Sequence, residues 1–347
     1  TSIEAKPLVD YTKAVGGRIA AAELFNEPTM PSYGAAPHGY NGAWFARDVA
    51  AFRSFVKSGV PDMLIVGPGG VGEGLSKGLL PADASGGMLP TPDLLAASPR
   101  PRFDVFSYHF YGAASIRCAA MGAAQTTAGA ALSEAFLART DTAYAFYAKL
   151  RDRFEPGKPI WITETAEAAC GGNPWASTFL DAFRYLDQLG RLAKRGVAVV
   201  FHNTLAASEY GLLDQRDFAP RPNYWAALLW RRLMGTTVLD AGPSRSALHL
   251  YAHCLRGHPG GVTLLAINLS RTQSESLMLP NAAEHYTLSS PQLEATGVEL
   301  NGSTLALGAG DALPSLRGVA VPAGRVSLAP ATITFLTLAG ANNASCR

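Results

Sequence analysis

The stretch 159-PIWITETAEA-168 decides how the chain is read. Its apolar run, Ile160-Trp161-Ile162, ends abruptly in Thr163-Glu164. β-Branched and aromatic residues bounded by a proline spell a strand. On either side the pattern changes: 141-DTAYAFYAKLRDRF before it and 176-ASTFLDAFRYLDQLGRLAKRG after it space their apolar residues by helical turns. Further out come a second apolar run, 197-VAVVFHN, and the helix 224-YWAALLWRRLMG. Upstream the same alternation holds for 18-RIAAAELF, 62-DMLIVG and 103-FDVFSYHF, with the helix 44-WFARDVAAFRSFVKSG. Strands alternating with helices predict an α/β domain over 1–240 built on a parallel sheet, open or closed into a barrel.

After about Ser244 the helical period disappears. Short alternating runs (248-LHLYAHCLR, 261-GVTLLAINLS, 297-GVELNGSTLAL and 332-TITFLTLA) are separated by Gly, Pro, Asn and Ser clusters. That grammar predicts an antiparallel β-sandwich over 241–347. No internal repeat is visible.

The 347 residues are 48% hydrophobic and only 16% charged, which excludes a disordered or highly solvated chain. The longest apolar runs, such as 196-GVAVVF, fall well short of the roughly 18 residues of a membrane span. Lys and Arg number 29 against 27 acids, and the part after residue 240 holds six Arg and five acids. Neither part has the basic excess of a nucleic-acid binder. The first residues, Thr1-Ser2-Ile3-Glu4, carry no initiating Met and no signal peptide and read as a trimmed end.

Several patterns fail on context. Gly67-Pro-Gly69-Gly-Val-Gly72 matches a dinucleotide fingerprint, but loop follows it instead of a helix. Gly74-Leu-Ser76-Lys-Gly78 has the spacing of a nucleophile elbow without a preceding strand. His249 and His253 lie four apart in an expected strand with no third ligand nearby, so no metal and no cofactor is expected. Arg191, Lys194 and Arg195 sit at helical spacing and read as a solvated face; Arg117, Arg151 and Arg153 are likewise left outside the site.

Two glutamates carry the chemistry. Glu27 lies in 23-ELFNEP, closing the first strand, with the amide of Asn26 beside it; Glu164 closes the 159-PIWITE strand. An apolar strand ending in a carboxylate is unusual unless the carboxylate is used. A pair of carboxylates on one cleft suits glycoside hydrolysis, one protonating the leaving oxygen while the other attacks the anomeric carbon or activates water.

With these motifs the chain resembles the retaining clan of (β/α)8 hydrolases, whose acid/base Glu of Asn-Glu-Pro ends strand four and whose nucleophile ends strand seven. Two strands lie between Glu27 and Glu164, and one follows. The resemblance therefore implies a TIM barrel lacking its first strands in this chain. Five strands cannot close such a barrel, so a separate N-terminal fragment supplying strands one to three is expected as a partner. The likeness narrows to glycoside hydrolase family 79, the heparanase family, and to its large subunit. It rests on 160-IWITETAEAACGGNPWASTFLDAFRYLDQLGRLAKRGVAVVFHNTL and 209-EYGLLDQRDFAPRPNYWAALLWRRLMGTTVL, with 23-ELFNEP and 103-FDVFSYHFY. The Thr-Glu strand end, the Gly-Gly loop, the Tyr-x-Leu-x-Asp turn and the Pro-x-Tyr-Trp helix keep the family spacing.

The resemblance implies a retaining enzyme that cleaves β-linked glucuronic acid in heparan sulfate or a related glycosaminoglycan. On this sequence Glu27 becomes the acid/base and Glu164 the nucleophile, with Tyr111 hydrogen-bonded to Glu164. Gly171, Gly172 and Tyr210 hold the sugar carboxylate, and Asn26, His109 and Asn203 make further contacts. The sequence departs from the family at Asn203, where a longer amide is usual, and at Cys170, where a Tyr is usual. Cys254 and Cys346 match the family's disulfide between sandwich and C-terminal tail, which implies an oxidising compartment and a secreted or periplasmic protein. Cys118 and Cys170 lie in loops above strand ends, and whether they pair stays open. An exo-acting β-glucuronidase and a catalytically silent glycan-binding protein on this scaffold remain alternatives.

Overall fold

The computed structural model describes residues 2–32, 36–75, 87–121 and 125–347. Ser76 of the elbow-like match lies outside them. The first part alternates α1 (Ser2–Ala14), β1 (Ala21–Glu23), α2 (Gly42–Gly59), β2 (Leu64–Gly70), α3 (Thr91–Ala96) and β3 (Val105–Tyr111). It continues with α4 (Glu134–Leu137), α5 (Arg139–Phe154), β4 (Ile160–Ala166), α6 (Phe179–Lys194), β5 (Val199–His202) and α7 (Pro222–Leu233). The five strands form one sheet in the order β1-β2-β3-β4-β5, with every neighbouring pair parallel. Each strand seen in the sequence is present; α1, α3 and α4 have no counterpart in the sequence reading.

Local chemistry sets the elements. Asn41 caps α2 by accepting from the Ala43 and Trp44 N–H groups at 3.0 and 3.2 Å, which satisfies donors with no intrahelical partner. Phe45, Val49 and Val56 then fall on the buried face of α2. One face of the sheet meets the helices through Ile65, Phe106, Tyr108, Ile160 and Ile162, all at most 3% exposed. Tyr147 of α5 stacks on Tyr108 with ring centroids 4.3 Å apart.

The opposite face is different. The register aligns Ala21 with Leu64, Ser107 with Trp161, and Trp161 with Val199, so these residues share that face. Leu64 is 39% and Phe201 50% exposed there, and Trp161 packs on Phe201. Ser107 and Val66 on the same face are buried, so the exposed apolar surface among the described residues lies toward the two edges of the sheet.

The second part is antiparallel. It comprises β6 (Met234–Leu239), β7 (Leu248–Leu255), β8 (Val262–Asn268), β9 (Glu275–Leu279), β10 (Ala283–Ser289), β11 (Glu299–Leu300), β12 (Ser303–Thr304), β13 (Val319–Val321), β14 (Gly324–Leu328) and β15 (Thr332–Leu338). The main sheet runs β12-β11-β10-β15-β8-β7-β6, with β13 on β10, and β9 and β14 form a separate ribbon. Met234–Leu239, ahead of residue 241, is therefore part of the antiparallel sheet. β9 and β10, whose residues are mostly half-buried, were not among the expected strands.

The two parts share a core. Leu180, Phe183 and Leu186 of α6 and Trp225 of α7 are at most 1% exposed and pack with Tyr251, Leu265 and Phe335 of the antiparallel sheet. Each such side chain contributes about 1.5–3 kcal/mol. A Cβ at Gly190 would stand 2.3 Å from the Tyr251 ring, so only glycine lets β7 approach α6 this closely. Beside it, buried Asp187 accepts from Tyr251 Oη at 2.5 Å, His249 Nδ1 at 2.6 Å and Arg191 Nε at 2.6 Å. His253 Nδ1 donates to the Gly235 carbonyl oxygen, so the two spaced histidines serve packing between layers. Disulfides join Cys254 to Cys346 and Cys118 to Cys170.

Candidate active site

Parallel strands bring their C-terminal ends to one edge of the sheet, where α/β folds collect functional side chains. Glu23 closes β1. The chain then turns through Asn26, Glu27 and Pro28, with Glu27 at φ 52°, a strained value for a side-chain-bearing residue. The turn is held from both sides. The Met30 N–H donates to the Glu27 carbonyl oxygen, while Thr29 Oγ1 donates to the Val71 carbonyl and accepts from the Val71 N–H.

Glu164 depends on a bulge. Strict alternation along β4 would put it in phase with Ile160 and Ile162, facing the helices. Tyr108 pairs with Ile162 but His109 pairs with Glu164, so Thr163 is an extra residue opposite β3. The insertion turns Glu164 to the other face, beside His109.

These side chains converge. His109, 3% exposed, places Nδ1 3.2 Å from Glu27 Oε1 and 3.8 Å from Glu164 Oε2. Its Nε2 lies 3.1 Å from Glu23 Oε1. Tyr111 Oη donates to Glu164 Oε1 at 2.5 Å and accepts from Asn203 Nδ2 at 3.1 Å. Asn203 Nδ2 also reaches Tyr210 Oη at 3.3 Å, and His202 Nε2 donates to the Tyr210 carbonyl at 2.8 Å. Burial pushes His202 down to about 4, so that ring is neutral. Burial also raises Tyr111, and the charge of Glu164 adds to the effect, so the phenol stays a donor. For His109, burial works against protonation but is outweighed by the hydrogen bonds to Glu23 and Glu27 and by the nearby negative charges, which bring it up to about 9.

Gly171 and Gly172 form the adjoining rim at φ 81° and 83°. A Cβ on Gly172 would stand 2.9 Å from Ala176 Cβ and 3.2 Å from the Tyr210 ring. Ser115 Oγ donates to the Gly172 carbonyl at 2.7 Å, and the Cys118–Cys170 disulfide anchors the same loop. The Gly171 and Gly172 N–H groups donate to no protein acceptor among the described residues.

Of the residues expected in the site, His109, Tyr111, Asn203 and Tyr210 thus join the two glutamates, and the glycines border Tyr210. Asn26 stands exposed beside Glu27, outside this hydrogen-bonded group. Glu23 was missed; its signal was a carboxylate in phase with the strand, four residues before Glu27. Of the basic residues set aside, Arg191 binds Glu134, Asp141 and Asp187 and Arg195 binds Asp141, whereas Arg117 binds Glu209 and also reaches the Gly171 carbonyl at 3.5 Å, on the rim itself.

Glu27, His109 and Glu164 present ligand-type atoms within 4.8 Å of one another. Metal binding needs a neutral imidazole lone pair, whereas both nitrogens of His109 face carboxylates. The geometry suits acid–base chemistry better than metal ligation.

The fold is one shared with solved glycoside hydrolases. An α-L-arabinofuranosidase structure from Thermotoga petrophila superposes with a TM-score of 0.64, covering 91% of this chain and 65% of that one at 12% identity, a likeness of fold alone. No family model matches the chain. In sequence it is 35% identical over 210 residues to heparanase of Gallus gallus, covering 55% of this chain and 40% of the relative. It is 30% identical over 225 residues to inactive heparanase-2 of Homo sapiens, covering 57% and 38%. The matches span about two fifths of these relatives. Over these stretches the chain is similar in sequence to heparanases.

Proposed function

We propose that the protein is a retaining glycosidase that cleaves β-linked glucuronic acid in heparan sulfate or a related glycosaminoglycan. The observation that carries this reading is the approach of Glu27 and Glu164 oxygens to within 4.8 Å across one cleft. Retaining enzymes hold their carboxyl groups about 5–5.5 Å apart, whereas inverting ones leave about 6.5–9.5 Å for a water. Glu27 gives its proton to the glycosidic oxygen as the carbon–oxygen bond breaks, and the Glu164 carboxylate bonds to the anomeric carbon. Water then attacks that carbon, its proton returns to Glu27, and the Glu164 carboxylate is released. Tyr111 orients Glu164; Gly171 and Gly172 N–H groups and Tyr210 receive the uronate; Asn26 and Asn203 serve the sugar hydroxyls.

The five parallel strands correspond in this reading to strands four to eight of a (β/α)8 barrel. The exposed apolar surface with Leu64, Trp161 and Phe201 supports it, since the interior of a closed barrel is filled by side chains. Strands one to three come from polypeptide outside these 347 residues. The disulfides support an oxidising location, secreted or periplasmic. No helix among the described residues is long and apolar enough to cross a membrane.

The test is the size distribution of heparan sulfate chains before and after incubation, with Glu164→Gln and Glu27→Gln as controls. Shortened chains, lost in both variants, are expected of an endo-acting enzyme. Free uronic acid without shortening assigns the exo-acting alternative. The similarity to inactive heparanase-2 favours one further reading, a silent glycan-binding protein: binding without turnover in the parent would select it.

A further inference from the structure

Resting on the glycosidase reading, we propose that Glu23 is a positioning residue that holds His109 as an imidazolium between Glu27 and Glu164, so that one positive charge serves both reacting carboxylates. Glu23 touches neither glutamate and has no part in the bond-making steps. Its Oε2 accepts from Ser107 Oγ and from Thr163 Oγ1, the latter at 2.9 Å. Its Oε1 faces His109 Nε2 at 3.1 Å. A Cβ at Gly69 would come within 2.8 Å of that same oxygen, so the glycine makes the room this carboxylate occupies. Its described side-chain partners are donors, as an ionised carboxylate requires.

The argument is one of hydrogen-bond counting. A neutral imidazole has one N–H and one lone pair. His109 has a carboxylate oxygen at each nitrogen, 3.1 Å from Nε2 and 3.2 Å from Nδ1. The Glu23 carboxylate, whose other oxygen already accepts from two hydroxyls, requires a proton on Nε2; once Glu27 is ionised, a lone pair on Nδ1 would be repelled in a site shielded from water, so in that state both nitrogens carry protons and both donate. The groups facing the ring are Glu23 from β1, Glu27 from the turn after it and Glu164 from β4. Strand β3 itself contributes Ser107 and Tyr111, and the chain after β5 contributes Asn203, none of them charged.

The consequence concerns Glu27 and Glu164 together. When Glu27 gives up its proton, the carboxylate that forms already has the Nδ1–H donor and a positive charge beside it. The same charge favours ionised Glu164. Without Glu23, His109 loses its proton in the working range and both benefits go. A carboxylate deprived of such a neighbour titrates about one unit higher or more. Glu23→Gln therefore moves both limbs of the kcat/KM bell to higher pH by about one unit and lowers kcat, with KM little changed. A side chain that merely fills space would lower activity without moving the limbs.

The deciding measurement is a histidine-labelled NMR titration of the full protein, with the His109 signal assigned by its loss in His109→Gln. The wild-type ring is expected to stay doubly protonated above pH 8, and Glu23→Gln to lower its midpoint by about a unit or more. A wild-type midpoint at or below the ordinary range of about 6.5 overturns the proposal. So does a variant whose midpoint and bell do not move. The wild-type titration decides even if Glu23→Gln fails to fold. The NMR arm needs no substrate: a high midpoint in a protein that leaves heparan sulfate intact overturns the glycosidase reading, not the Glu23–His109 pairing.

Discussion

Replacing Tyr111 by Phe removes one hydroxyl from the Glu164 carboxylate and almost nothing else. The ring, 4% exposed, packs with Met30, Val71 and Ala166, and phenylalanine fills the same volume. Asn203 Nδ2 loses one partner but keeps Tyr210 Oη at 3.3 Å. Glu164 Oε1 loses its 2.5 Å donor. A hydrogen bond to a charged group is worth about 1.5–3 kcal/mol, which converts to roughly 10- to 150-fold in rate. The Glu164 side chain is 26% exposed, so water recovers part of that, and the lower end applies. We expect kcat/KM on a β-glucuronide to fall about 10-fold. Stability should change by less than about 1 kcal/mol, since no cavity forms. Activity profiles and thermal melts of the two proteins check both halves. A kcat/KM within twofold of the parent would refute the role given to Tyr111.

Two further predictions concern stability. Cys254 and Cys346 are 92 residues apart in sequence. Replacing both by Ser should cost about 4–5 kcal/mol on the chain-entropy model; an unshifted denaturant midpoint under non-reducing conditions would contradict the structural role of that bridge. Glu167 is pushed up to about 7 by burial first and by the charge of Asp181 second. It therefore binds its proton more tightly when folded. Its contribution is fully present below about pH 4.5 and is lost as pH rises through about 7. Glu167→Gln, which keeps a carbonyl for the Asn173 N–H, should flatten stability across that window, and an unchanged slope in chemical unfolding would count against it.

Much of the fold is legible because its signals are local. The β4 and β5 runs and helices α2, α5, α6 and α7 each declare themselves by periodicity. The Asn26-Glu27-Pro28 turn and the Thr163-Glu164 strand end advertise their carboxylates without any knowledge of what lies opposite. β9 and β10 did not stand out because their residues are half-buried and mixed in character. Asp187 was hidden for a related reason: its partners His249 and Tyr251 lie 62 and 64 residues away, and only the packing of β7 on Gly190 brings them to it.

By itself the sequence determined which elements exist, in what order, and which strand ends carry carboxylates, since those follow from residue type and spacing within one segment. Only the tertiary structure decided which face those carboxylates use. Glu164 reaches His109 because β4 takes in one extra residue, Thr163, against β3. Glu23 reaches the same ring because β1 lies two strands away with Gly69 leaving room between them. Both depend on register between strands far apart in the chain, and register is set by the packing of the whole sheet.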